Sequence, residues 1–242
     1  MKKTTPYLSL LIIILLISSC SGGIFCIQGE GEKLTEERTV NVFNEIRSEI
    51  NATVYIKQSD TTSVKIVAQQ NILDNIKTKI VNNEIEISQK RCATNYDSIE
   101  IYISTNNITR ITMDGSGEIF VDNKFEAKDL DLIINGSGNI NFNNLFVSKQ
   151  LITQINGSGN VNLSGQDSTE LHTIDITGSG NVKAFDLLTK RTKTQISGSG
   201  NLYAWAIEKL DINIMGSGNV YYKGNPDINI DNTGSGTVIN SN

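Results

Sequence analysis

"INGSGNINF" occupies residues 134–142, and 21 residues later it returns as "INGSGNVNL" at 155–163. The same bend sits between two apolar-alternating segments in both places. The tripeptide Gly-Ser-Gly occurs seven times, with first glycines at 115, 136, 157, 178, 198, 216 and 234. The spacings are 21, 21, 21, 20, 18 and 18 residues. A fixed period near 20 is the signature of a stacked repeat and takes precedence over any other reading of the fold.

Columns taken around the first glycine show what each repeat does. Two residues before it stand Met113, Ile134, Ile155, Ile176, Ile196, Ile214 and Asn232. Four after it stand Ile119, Ile140, Val161, Val182, Leu202, Val220 and Val238. The residues between these columns are mostly polar, so the period is two on both sides of the bend. Each unit therefore reads as strand, turn, strand, and β-branched Ile and Val suit the strands. The turn scaffold is the glycine pairs Gly115 and Gly117, Gly136 and Gly138, Gly157 and Gly159, Gly178 and Gly180, Gly198 and Gly200, Gly216 and Gly218, and Gly234 and Gly236. These glycines are expected to supply backbone angles that a β-carbon resists. In five of the seven units Asn follows the tripeptide, at 139, 160, 181, 201 and 219, which predicts a side-chain ladder if the units stack. A meander of antiparallel hairpins is the competing architecture. The matched columns, and the length left in each unit for a return strand, favour a β-solenoid of parallel strands.

The first residues are not part of this fold. "MKK" is basic, residues 8–17 are an apolar run, and Ile17-Ser18-Ser19-Cys20 resembles a bacterial lipobox. Residues 1–19 therefore read as a lipoprotein signal peptide, with Cys20 as the lipidation site and the membrane as a partner through the lipid. Residues 20–37 read as a tether ending in a first strand. The chain carries a formal charge of −5; loss of Lys2 and Lys3 with the signal leaves 19 basic against 26 acidic residues, or −7. An acidic exported chain does not favour nucleic acid. Cys26 and Cys92 then remain as a possible disulfide in an oxidising compartment.

Residues 38–108 lack Gly-Ser-Gly but alternate, as in "TVNVFNEI", "ATVYIKQ", "EIEIS" and "SIEIYIS", with a short helical turn expected at "NILDNIK". This is a less regular β region, expected to cap the repeats of residues 109–240 rather than to form a separate domain.

The lipobox, the "RTVNVFNEI" stretch and the repeated "INGSGN(I/V)" turns together resemble the auto-transporter adhesin head GIN domain family, mostly Bacteroidetes envelope proteins. The resemblance runs from about Arg38 to Asn240. It implies a right-handed parallel β-helix over 38–242, no known catalytic site, trimers, and an adhesion role toward a host or envelope surface ligand. Thr237 in place of Asn, and Asn232 in the apolar column, depart from the pattern and mark the last unit as a frayed or capping rung.

Chemistry-bearing residues are sparse. No repeat column is acidic throughout: Asp114, Asp131, Asp175 and Asp211 are spread over three offsets from the turn, so a glycan-active enzyme on a β-helix scaffold is the weaker alternative. His172 is the sole histidine and shares the inward parity of Ile174, which suits a packed residue better than a base or ligand. A phosphate loop needs a following helix or Lys, and a strand follows every Gly-Ser-Gly, so no cofactor is implied. Calcium-binding glycine repeats need a regular Asp, and only Asp114 neighbours a turn, so no metal is expected. The outward column reads Phe120, Asn141, Asn162, Lys183, Tyr203, Tyr221 and Ile239, with Trp205 two residues beyond Tyr203. Tyr203, Trp205 and Tyr221 form a candidate subunit interface or glycan patch, the interface being the stronger reading because obligate interfaces are rich in such residues.

The sequence thus predicts a non-enzymatic, lipid-anchored envelope binding module, with a periplasmic structural or envelope-stress sensing module as the alternative. Ser21 differs from the Asp that holds some lipoproteins at the inner membrane, so the outer membrane is expected. "SGGIF" lacks the acidic stretch that accompanies surface export, which leaves the side open.

Overall fold

The computed structural model describes residues 26–242, so the signal peptide and Cys20 lie outside the described residues. Strand accounts for 64% of the described residues and helix for 3%, arranged as a β-solenoid of about six turns with a less regular N-terminal region. Every pairing between repeat units is parallel, and the register holds on both sides of the bends, with bulges where it shifts, as between Ala184 and Leu188. Ile111 lies beside Leu132, Ile140 beside Val161, Ile176 beside Ile196, and Ile212 beside Ile230. The antiparallel meander is thereby excluded.

The apolar columns form the core. Met113, Ile134, Ile155, Ile176, Ile196 and Ile214 are all buried, as are Ile119, Ile140, Val161, Val182, Leu202 and Val220. Burial of each such side chain stabilises by roughly 1.5–3 kcal/mol before entropy is counted. Phe125 and Phe142 add an edge-to-face pair at 5.3 Å.

The N-terminal region is built into the solenoid. Glu45–Ser48 pairs in parallel with Arg110–Met113, and residues 53–55 pair with 118–120. This is a first rung without Gly-Ser-Gly, in which Ala52 faces the position of Gly117. The next layer outward is made by Glu84–Gln89 and Glu100–Thr105, parallel to that rung. Three antiparallel pairings then close the end: Lys33–Arg38 with residues 64–69, Ser63–Gln69 with residues 100–104, and Ile76–Val81 with Glu84–Gln89. Strand order here departs from chain order, because the chain lays down the first rung, runs outward, and returns beneath it. The expected helical turn is present as Gln70–Asn75, with Ile72 and Leu73 buried.

The segment read as a tether ending in a first strand holds that strand at Lys33–Arg38, and a second short strand, Ile27–Gln28, pairs with Ala93–Thr94. Its alternation is weak because it lies on the outermost edge, where one neighbour is solvent. Cys26 and Cys92 are joined in a disulfide that fastens this segment to the cap. Among the described residues no helix is long and apolar enough to cross a membrane.

Candidate functional site

The Gly-Ser-Gly bends line up along one edge of the solenoid. Their glycines are required mainly by crowding between rungs, which corrects the expectation that special backbone angles demand them. Only Gly157, Gly178 and Gly198 of the turn glycines have positive φ, clearest at 124° in Gly178. A β-carbon on Gly180 would lie 2.2 Å from the carbonyl oxygen of Gly159 and 2.5 Å from Cγ2 of Ile155. The same geometry recurs at Gly159, Gly200 and Gly218, each against the second glycine and the Ile of the preceding rung. The bends thus stack backbone on backbone, and the amide of Asn181 donates to the Gly159 carbonyl at 3.2 Å.

Beside the bends runs the Asn ladder. Asn160 Nδ2 donates to Asn139 Oδ1 at 2.9 Å, Asn181 to Asn160 at 2.8 Å, Asn201 to Asn181 at 2.9 Å and Asn219 to Asn201 at 3.2 Å. Each lower Oδ1 from 139 to 201, save that of Asn160, also takes the backbone N–H of the Asn above. Thr237 ends the series by giving both its N–H and its hydroxyl to Asn219 Oδ1. Asn232 bonds Gly234 N and Gly236 O, so the two departures in the last repeat cap its turn. The ladder asparagines thus spend their side chains largely on one another.

Two ion-pair clamps tie the cap to the first repeats. Arg47 binds Glu84 at 2.9 Å and also Asp114, and Arg110 binds Glu45 and Asp131, each at 3.0 Å. The Glu84 hydrogen bond, ahead of the Asp114 contacts, holds the Arg47 guanidinium above its ordinary pKa. Asp114 and Asp131 are therefore structural.

His172 faces inward and is buried, with Nε2 at 2.9 Å from Thr153 Oγ1. Burial pushes its pKa down to about 3, so it is a neutral packed residue. Asp175 and Asp211, separated by offset in the sequence, do converge with Lys193 and Asp231 on an open depression of about 420 Å³. A glycosidic general acid needs a carboxyl kept protonated by burial. None of these carboxylates is buried, and Asp211 is paired with Lys209 at 3.0 Å. Among the described residues no three His, Cys, Asp or Glu side chains gather to hold a metal ion.

The outward aromatic column is longer than the repeats. Tyr102, Tyr55 and Phe120 stack at 5.0 and 5.9 Å at the cap end, with Lys65 Nζ 4.4 Å from the Tyr102 ring. Asn141, Asn162 and Lys183 follow in register, then Tyr203 and Tyr221, stacked at 4.8 Å and 6°. Phe185 meets Tyr203 edge-on at 5.4 Å, and Lys223 Nζ stands 4.7 Å from the Phe185 ring. Stacking along the solenoid axis turns ring edges and hydroxyls outward, so Tyr203 and Tyr221 do not offer broad ring faces. Trp205, beside Lys223 on the next strand, is 39% exposed. The sequence signal placed all three on one face; Phe185 was missed because a bulge between Ala184 and Leu188 shifts the register there.

No functionally curated protein matches the chain. Among solved structures, an adhesin described as putative from Bacteroides fragilis is 27% identical with a TM-score of 0.84, covering 89% of this chain and 100% of its own. One from Parabacteroides merdae is 21% identical (TM-score 0.72, 89% and 99% covered). A Parabacteroides distasonis protein described as a putative lipid binding protein is 23% identical (TM-score 0.74, 89% and 99% covered). These last two share the fold. Residues 42–226 match the family described as "Putative auto-transporter adhesin, head GIN domain", and the chain belongs to that family.

Proposed function

We propose that the protein is a non-enzymatic, lipid-anchored module of the cell envelope, with Cys20 as its lipidated residue and adhesion as its role. Membership of the adhesin family is the observation that carries this reading. The geometry supports it. The cap holds Cys26, six residues beyond Cys20 in the sequence, in a disulfide with Cys92. The repeats then extend away from that end as a laddered rod. From the Tyr102 strand to the Ile239 strand the outward column makes eight steps, roughly 40 Å at about 4.8 Å each. An anchor at one end and a stiff repeat surface reaching from it suit contact with something at a distance. The solvent-accessible carboxylates of the Asp175–Asp211 depression suit a binding role better than hydrolysis.

Metabolic labelling with radioactive palmitate tests the anchor. The chain is expected to take up label and partition with membranes, and Cys20→Ala is expected to lose both. Equal labelling of the Cys20→Ala chain would overturn the anchor.

A further inference from the structure

We infer that the face carrying Tyr203, Trp205 and Tyr221 is a binding site for an anionic oligosaccharide, bearing uronate carboxylates or sulfate groups. This deepens the adhesion reading and rests on it for its biological setting. Of the seven exposed large apolar side chains among the described residues, five lie between 205 and 239: Trp205, Ile207, Met215, Ile230 and Ile239. The apolar surface is thus concentrated at the end of the rod away from the cap. Trp205 and Ile207 leave the same strand on the outward side, separated by buried Ala206. A β-carbon on Gly224 would lie 3.4 Å from Trp205 Cδ1, so the glycine leaves that edge of the indole open.

The polar groups on this face are unspent donors. The Trp205 indole N–H and the Tyr203 and Tyr221 hydroxyls have no hydrogen-bond partner among the described residues, and neither Lys183 nor Lys223 is ion-paired there. Lys183 and Lys223 flank the tyrosine stack, Lys183 beside Tyr203 and Lys223 beside Trp205. A sugar chain presents C–H surface to an indole and ring oxygens to such donors. Lys183 and Lys223, the latter also over the Phe185 ring, supply local positive charge on an otherwise acidic chain, and that local charge selects an anionic sugar over a neutral one. A protein interface fits less well. Lys is depleted in interface cores, and a standard interface needs about 800 Å² per partner, whereas this face spans two to three rungs.

Trp205 is the only tryptophan, so its emission reports on this site alone. The mature chain is titrated with a galacturonate hexamer, a heparin-derived hexasaccharide and, as neutral control, cellohexaose. The inference expects a saturable emission change with one or both anionic chains, weakened by salt, and none with cellohexaose. The two anionic arms separate carboxylate from sulfate. Lys223→Glu, which retains the reporter, is expected to weaken binding at least about tenfold. Trp205→Ala, followed by calorimetry, is expected to do the same. No saturable change with either anionic chain overturns the inference, as does an equal response to cellohexaose. Self-association that Trp205→Ala abolishes, with no sugar bound, overturns it in favour of a second copy. Cells carrying the Trp205→Ala chain separate this from the adhesion reading. Adhesion that survives the substitution removes the site and leaves adhesion standing. Sugar binding in vitro with no adhesion by wild-type cells does the reverse.

Discussion

Gly180→Ala tests the crowding that defines the bends. The new methyl would sit 2.2 Å from the Gly159 carbonyl oxygen and 2.5 Å from Ile155 Cγ2. Ordinary contact begins near 3.4 Å, so the overlap is more than 1 Å against backbone that cannot rotate away. Relief requires the two bends to separate. That stretches the hydrogen bonds from Gly180 N to Gly157 O (3.1 Å) and from Asn181 N to Gly159 O (3.2 Å). It also strains the Asn181–Asn160 side-chain bond of 2.8 Å. Overpacking costs about 1–3 kcal/mol, and each bond lost adds about 0.5–1.5 kcal/mol. The expected loss is therefore about 3–5 kcal/mol, a large part of a total stability of about 5–15 kcal/mol. In a domain of this size it lowers the midpoint by about 10 °C. Urea unfolding is followed by far-UV ellipticity and by Trp205 emission. Coincident transitions shifted to lower urea fit a cooperative rod, and a split between probes fits a rod broken at the substituted rung. A loss below about 0.5 kcal/mol would refute the reasoning, since the rungs would then have room for a β-carbon.

Other expectations follow from the same structure. Asn181→Ala removes one bond to Asn160 and two from Asn201, so it should cost about 1.5–3 kcal/mol by urea denaturation; a neutral result would make the ladder decorative. His172 has a folded pKa of about 3 against about 6.5 in the unfolded chain, so the unfolded state binds the extra proton between those values. Stability should be full above about pH 6.5 and fall by about 1.4 kcal/mol per unit as pH drops toward 3, first visible between 6.5 and 5, where carboxylates contribute little. His172→Leu should abolish that slope whatever its effect on absolute stability; an unchanged slope contradicts a buried neutral histidine. Opening the Cys26–Cys92 bond, which closes a span of 66 residues, should cost up to about 4 kcal/mol. Identical melting with and without dithiothreitol would show that the cap does not depend on it.

The repeat region was legible because one residue type recurs wherever the geometry repeats. Period-two columns gave parallel, in-register strands, and Asn after each bend gave a ladder that forms from 139 to 219. The parity of His172 with Ile174 placed it inside, where it is. The physical need for the second glycine was not legible. It arises from a carbonyl and an Ile methyl one rung away, and no local pattern shows that distance. The cap was legible as β structure but not in its order. Nothing in "ATVYIKQ" indicates that Thr53–Gln58 lies between strands 100–105 and 118–121, which follow it in the chain. The candidate site was half legible. Alternation put Tyr203, Trp205 and Tyr221 on one face, while the edge-outward stacking and the joining of Phe185 depend on a bulge and on rotamers. Convergence of Asp175 with Lys193 and Asp211 was hidden because Asp175 falls two columns from the other two, which pair directly across neighbouring rungs.

Protease shaving of intact cells, followed by blotting for this chain, tests the central proposal most directly. The account predicts that the rungs are lost from unlysed cells while a periplasmic marker survives. Protection until the cells are lysed would contradict an adhesive role and leave a structural or stress-sensing module inside the envelope.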